Sequence, residues 1–262
     1  MVSAPDPLLG QLRARRRDGT VSMDIRQLRF LTPAHLVGIA AKAHRARHSE
    51  LHFVLHGPDD DDVARYAARM RLGEILDSLQ ADHRLPSRRA RDRRGHLLEI
   101  IQINSEAEVE ALATLVYEKV NGTSPVRAEA LHKSLGEIGM NVAEHAAAAG
   151  FLAAQTMPNL AELRLAVGDG GRGLLATLEP WSPTDDGEAI ELALSNASRF
   201  ARPGRGRGLP TTLDAIHGLR GSVYIATGNA AVHAVSPTKR RRREGSARFR
   251  GTLVEARIPL PH

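Results

Sequence analysis

The chain has 262 residues, room for one large domain or two small ones, with 42% hydrophobic and 25% charged residues in an ordinary globular balance. The absence of cysteine excludes disulfides, thiolate metal sites and cysteine nucleophiles, and it fits a reducing, cytoplasmic setting. No apolar run approaches the roughly 18 residues of a membrane span, so a soluble protein with no membrane contact is expected.

Residues 1–20 are rich in Pro, Gly and Arg, and a flexible arm is expected there. The arginines at 13, 15, 16 and 17 lack the apolar stretch that a secretory signal would place after them. Met23 to Phe30 reads as a strand. Thr32-Pro33 then opens a helix over about Ala34–Arg47, with proline near its first position. Leu51 to Leu55 alternates as a strand and stops at Gly57-Pro58. Asp59 to Asp62 precede a helix from Val63 to Leu79, where acidic residues suit the positive end of the helix dipole. After a basic loop, Leu97–Ile103 reads as another strand. A small α/β module over residues 21–103 is expected from this alternation.

Glu106–Val120 and a long stretch from Ser124-Pro125 to about Ala149 read as helices. The second contains Leu135-Gly-Glu-Ile-Gly-Met-Asn-Val-Ala-Glu-His-Ala146. There Glu137, Asn141 and Glu144 or His145 recur at helical spacing and form a polar column. Leu160–Val167 alternates as a strand and runs into Gly168-Asp169-Gly170-Gly171-Arg172-Gly173. A helix at Glu188–Ser195, the run Gly204-Arg-Gly-Arg-Gly208-Leu209 and a helix at Thr211–His217 follow. Strands are expected at Ser222–Thr227 and Gly251–Pro259, separated by a long basic loop over 228–250.

The net charge of +6 gathers at Arg88–Arg94 and Lys239–Arg243. With aromatic residues at 3% there is little to stack on bases, so these clusters read as solvated loops ahead of a nucleic-acid footprint.

Four motifs stand in order: Glu137-xxx-Asn141, Asp169-x-Gly171-x-Gly173, Gly204-x-Gly206-x-Gly208-Leu209 and Gly251-Thr252. Any one of them is weak by itself, because glycines also serve ordinary turns. Their order over residues 106–260 resembles the nucleotide-binding domain of the GHKL superfamily (gyrase B, Hsp90, histidine kinases, MutL). Glu137-xxx-Asn141-xxx-His145-Ala146 is most similar to the anti-sigma-factor serine kinases. Residues 21–103 loosely resemble the STAS domain of anti-sigma-factor antagonists, with Pro33 standing where that family has its phosphoacceptor serine and Thr32 an N-cap beside it.

The resemblance implies an α+β two-layer sandwich at 104–262, preceded by the STAS-like module and the arm at 1–20. It implies ATP and Mg²⁺ as cofactors, with Asn141 as the metal ligand through its amide oxygen, since magnesium favours oxygen donors while bridging phosphates. Glu137 becomes the general base near the γ-phosphate. Asp169 becomes the reader of the adenine amine, with Gly171 and Gly173 beneath the base and Thr252 at its edge. Gly206, Arg207 and Gly208 cradle phosphate ahead of a helix N-terminus, and His145 lies on the phosphate side. Arg207 and Pro210 depart from the family's glycine pattern, and Pro210 removes one backbone donor. The implied function is ATP-binding regulation, with hydrolysis or phosphoryl transfer to a partner protein's Ser or Thr. Its alternatives are a nucleotide-dependent interaction switch without turnover and a basic nucleic-acid-binding module.

Overall fold

Helix α2 (Pro33–His48) lies at the centre of the molecule, and its composition explains why. Its first turns, Pro-Ala-His-Leu-Val-Gly-Ile-Ala-Ala, carry no charge and mostly small side chains, and every residue from Pro33 to Ala41 is buried. A helix that is apolar on all sides must be covered on all sides. Thr32 caps it: its hydroxyl accepts the His35 N–H at 3.4 Å, and His35 Nδ1 returns to the Thr32 N–H at 3.1 Å.

The computed structural model describes residues 6–87, 97–121, 125–145, 148–195 and 208–260. On one side of α2 is a four-stranded sheet of β1 (Ala14–Arg17), β2 (Thr20–Asp24), β3 (His52–His56) and β4 (Asp82–His83), in that order. The β1–β2 pair is antiparallel and the other two pairs are parallel. Helices α3 (Asp61–Arg69) and α4 (Leu72–Ser78) make the crossover from β3 to β4. On the other side of α2 is an antiparallel five-stranded sheet. It is built from β5 (Leu97–Ile103), β6 (Gly150–Met157), β7 (Glu162–Asp169), β8 (Ser222–Ser236) and β9 (Lys239–Pro259), ordered β5-β6-β7-β9-β8.

The second sheet is buried on both faces. Phe151, Ala153, Ala166, Phe249 and Leu253 face α2 and share one core with Phe53 and Leu55 of the first sheet. Leu152, Leu165, Val167, Ile225 and Val254 face a helical layer. That layer comprises α5 (Glu106–Asn121), α6 (Pro125–His145), α8 (Asp186–Leu194) and α9 (Gly208–Gly218), with the short α7 (Leu174–Thr177) at the sheet's end. The architecture is α+β, and no helix among the described residues is long and apolar enough to cross a membrane.

Several expectations are corrected. Residues 6–20 are no loose arm. Asp6 caps α1 (Pro7–Gln11) and accepts from Tyr224 Oη at 2.7 Å, while Leu9 and Leu12 are fully buried. The strand expected over Met23–Phe30 ends at Asp24, whose carboxylate takes both the backbone N–H of Arg26 (3.1 Å) and its guanidinium (2.7 Å), turning the chain. The helix expected over Val63–Leu79 is two helices, parted at Arg71 in the left-handed region (φ 64°). Strand β5 does not complete the first sheet; it is the edge of the second.

The expected basic loop at 228–250 is instead an antiparallel hairpin in which Val232 opposes Arg242 and Ala234 opposes Arg240. Alternate apolar residues Ala230, Val232 and Ala234 are buried against the helical layer, and that burial specifies a strand. The arginines opposite reach α8 and its cap: Arg240 pairs with Glu191 at 2.6 Å and Arg242 with Asp185 at 2.8 Å.

Candidate functional site

The stretch expected to bear the polar column is helical, as part of α6. It is anchored by Leu131 and Leu135 in the core beneath, and by Gly139 against Val109 of α5. Glu137 is half-buried. Asn141 lies one turn further along and His145 is the last residue of the helix; their side chains lie outside the described residues.

Strand β7 ends at Asp169. Side chains alternate along a strand, and Leu165 and Val167 face the helical layer, so Asp169 faces it too. Val254 and Ala256 place Thr252 on the same face of β9. The acid and the hydroxyl therefore share the side of the sheet covered by α6. Asp169 is 3% exposed. Its Oδ1 accepts the Gly171 N–H at 2.7 Å, and the Thr252 N–H also donates to the carboxylate. Burial raises its pKa from the ordinary 3.8 to about 6, against the lowering effects of those two donors and of Arg45.

Glycine is required around this acid for reasons of space and backbone conformation. Gly251 has φ +103°, and a Cβ there would stand 2.0 Å from the Asp169 carbonyl oxygen. Gly173 has φ +80°, and its Cβ would stand 2.8 Å from Thr227 Oγ1. That hydroxyl donates to the Gly251 carbonyl at 2.7 Å and accepts the Leu174 N–H at 3.1 Å, tying the loop after β7 to the bulge between β8 and β9. A cleft of about 560 Å³ opens beside this junction, lined in part by Arg172, Leu175, Thr227, Arg250 and Gly251; neither Glu137 nor Asp169 lines it.

Gly206 and Arg207 lie outside the described residues. Gly208 is the first residue of α9, and Leu209 and Pro210 are buried in its first turn. The proline is accommodated where a helix has no partner for its early N–H groups. Among the described residues no three His, Asp or Glu side chains converge as a metal site.

Sequence reasoning missed two residues of this region. Thr227 closes the expected strand Ser222–Thr227, and only its pairing opposite Thr252 shows that it braces Gly173 and Gly251. Arg45 lies on α2, and its guanidinium donates to the carbonyls of Gly170 and Gly171 at 2.8 and 2.9 Å. No local pattern links positions 125 and 126 residues apart. The chain matches no family model, no curated protein and no solved structure.

Proposed function

We propose that the chain is an ATP-binding regulatory protein whose second half is a GHKL-type domain and whose first half is a STAS-like module. One observation carries the reading: a buried carboxylate, Asp169, ends a strand on the helix-covered face of the sheet, in the layer of the helix that bears Glu137 and Asn141. A buried acid is costly unless donors satisfy it. Among the described residues its donors are the N–H groups of Gly171 and Thr252, which occupy two of a carboxylate's roughly four acceptor sites. The exocyclic amine of adenine suits what remains, and Thr252 offers a hydroxyl on the same face.

In this reading Gly171 and Gly173 let the backbone pass close under the base, with Gly173 already at positive φ. Gly206 and Arg207 precede α9 and Gly208 opens it, where backbone donors and the helix dipole favour phosphate. His145 stands on the phosphate side. Asn141 would hold a magnesium ion through its amide oxygen, and the ion would offset phosphate charge. Glu137, one helical turn before, would take the proton from an attacking water or from a partner's Ser or Thr hydroxyl.

Calorimetric titration with Mg-ATP tests the proposal. The wild type is expected to bind and Asp169→Asn is not, because the amide would turn a donor toward the adenine amine. A wild type that shows no heat of binding at millimolar nucleotide overturns it.

A further inference from the structure

The loop that follows Asp169 is held from behind, by the other half of the chain. Helix α2 packs under the second sheet, and at its C-terminal end Arg45 reaches the loop's two carbonyls, Gly170 O at 2.8 Å and Gly171 O at 2.9 Å, through one guanidinium nitrogen. The fit is close on both sides of the acid. A Cβ on Gly170 would stand 2.4 Å from the Ala41 carbonyl and 2.9 Å from Arg45 Cβ, and one on Gly168 would stand 3.0 Å from Val37 Cγ1. The helix backbone, not merely its side chains, is thus in contact with the loop. The charges of Arg248 and Arg250 act on the same guanidinium, and Lys42 of α2 donates to the Arg248 carbonyl at 3.1 Å while lying over the Phe249 ring.

We infer that Arg45 is a positioning residue through which the first module controls the second: its guanidinium fixes the Asp169-Gly170-Gly171 turn in the form that presents the acid to a ligand. The inference rests on the nucleotide reading above for the identity of that ligand. Glycines at 170 and 171 leave the turn free to take other conformations, and the charge-assisted bonds from α2 select one. Orientation of an acceptor to within a fraction of an ångström is what such a bond contributes to binding. A partner that pulls on α2, or a change in how the first sheet packs against it, would be felt at Asp169 without touching the ligand.

Three variants of the full chain test this. Arg45→Ala removes the clamp, Arg45→Lys keeps the charge on a shorter side chain, and Arg47→Ala serves as control, because Arg47 bonds the Ser78 carbonyl within the first module. Arg45→Ala is expected to weaken Mg-ATP binding by about tenfold, the effect of losing bonds from a charged donor at a half-buried position. Arg45→Lys should recover part of the loss, and Arg47→Ala should bind as the wild type. Without nucleotide, amide exchange across residues 168–173 should quicken in Arg45→Ala while β2 and β3 stay unchanged. Unchanged affinity, unchanged loop exchange, or acceleration spread evenly over α2 and both sheets would each overturn the inference. If the wild type binds no nucleotide, the nucleotide reading falls, and the exchange measurement alone decides whether the clamp exists.

Discussion

Replacing Asp169 by Asn should shift the stability of the nucleotide-free protein increasingly in the variant's favour as pH rises. The side chain is buried, and its pKa in the folded chain is raised from 3.8 to about 6. A carboxyl raised on folding contributes stability that is fully present below its unfolded pKa and is lost as pH passes through the folded one. At about 1.36 kcal/mol per pH unit, the ionised acid opposes folding by about 3 kcal/mol at neutral pH. The amide cannot ionise; its one oxygen must serve both the Gly171 and Thr252 N–H groups, a cost that does not vary with pH. The stability of Asp169→Asn relative to wild type should therefore rise by about 1.4 kcal/mol between about pH 5 and about pH 7.5. Urea unfolding of both proteins at each pH, without nucleotide, measures it. An advantage that is flat with pH, or that shrinks as pH rises, refutes the claim that burial dominates the environment of this acid. A variant that is more stable and yet blind to nucleotide would set Asp169 apart as a residue kept for binding at the expense of stability.

The other expectations concern the supports of the site and its chemistry. Gly251→Ala should lose at least about 2 kcal/mol in urea unfolding, because a Cβ would stand 2.0 Å from a backbone oxygen at a positive φ; an unchanged midpoint would show that the bulge can relax. Tyr224→Phe removes the 2.7 Å bond to Asp6 and leaves that buried carboxylate short of a donor. It should cost about 1–3 kcal/mol and expose α1 to limited proteolysis, whereas a variant as resistant as wild type would mean that Leu9 and Leu12 alone hold the segment. Glu137→Gln should keep Mg-ATP affinity within about twofold and slow phosphate release by about a hundredfold. Equal turnover in the two proteins would remove Glu137 from the chemistry, and binding without turnover in the wild type would assign the site to a switch.

Much of the fold was legible because local chemistry and burial agree along these stretches. Thr32-Pro33 signals a capped helix start, and the cap is there. Leu163, Leu165 and Val167 alternate with Glu162 and Arg164, and the strand forms with its apolar row inward. The errors fell where a tertiary contact reversed a local signal. Residues 228–250 carry the charge of a loop, but Ala230, Val232 and Ala234 supply a buried row, and Asp185 and Glu191 receive the arginines. The first 20 residues have an arm's composition, but Leu9 and Leu12 find a core that their neighbours in sequence do not announce. Strand β6, with Gly150 to Ala154 all buried, lacks the alternation that marks a half-exposed strand and went unread.

The motifs Glu137-xxx-Asn141 and Asp169-x-Gly171-x-Gly173 are properties of the sequence alone, because the spacing of residues on one helix or one turn is set by backbone geometry. Composition likewise sets apart the first half of helix α2, Pro33–Ala41, as a segment too apolar to be left facing water. Which surfaces cover it is a different matter. Only the tertiary structure decided that α2 lies between two sheets and that Arg45 meets a loop 125 residues away. Such contacts depend on which buried faces fit together, and that complementarity is a property of assembled surfaces with no period along the chain.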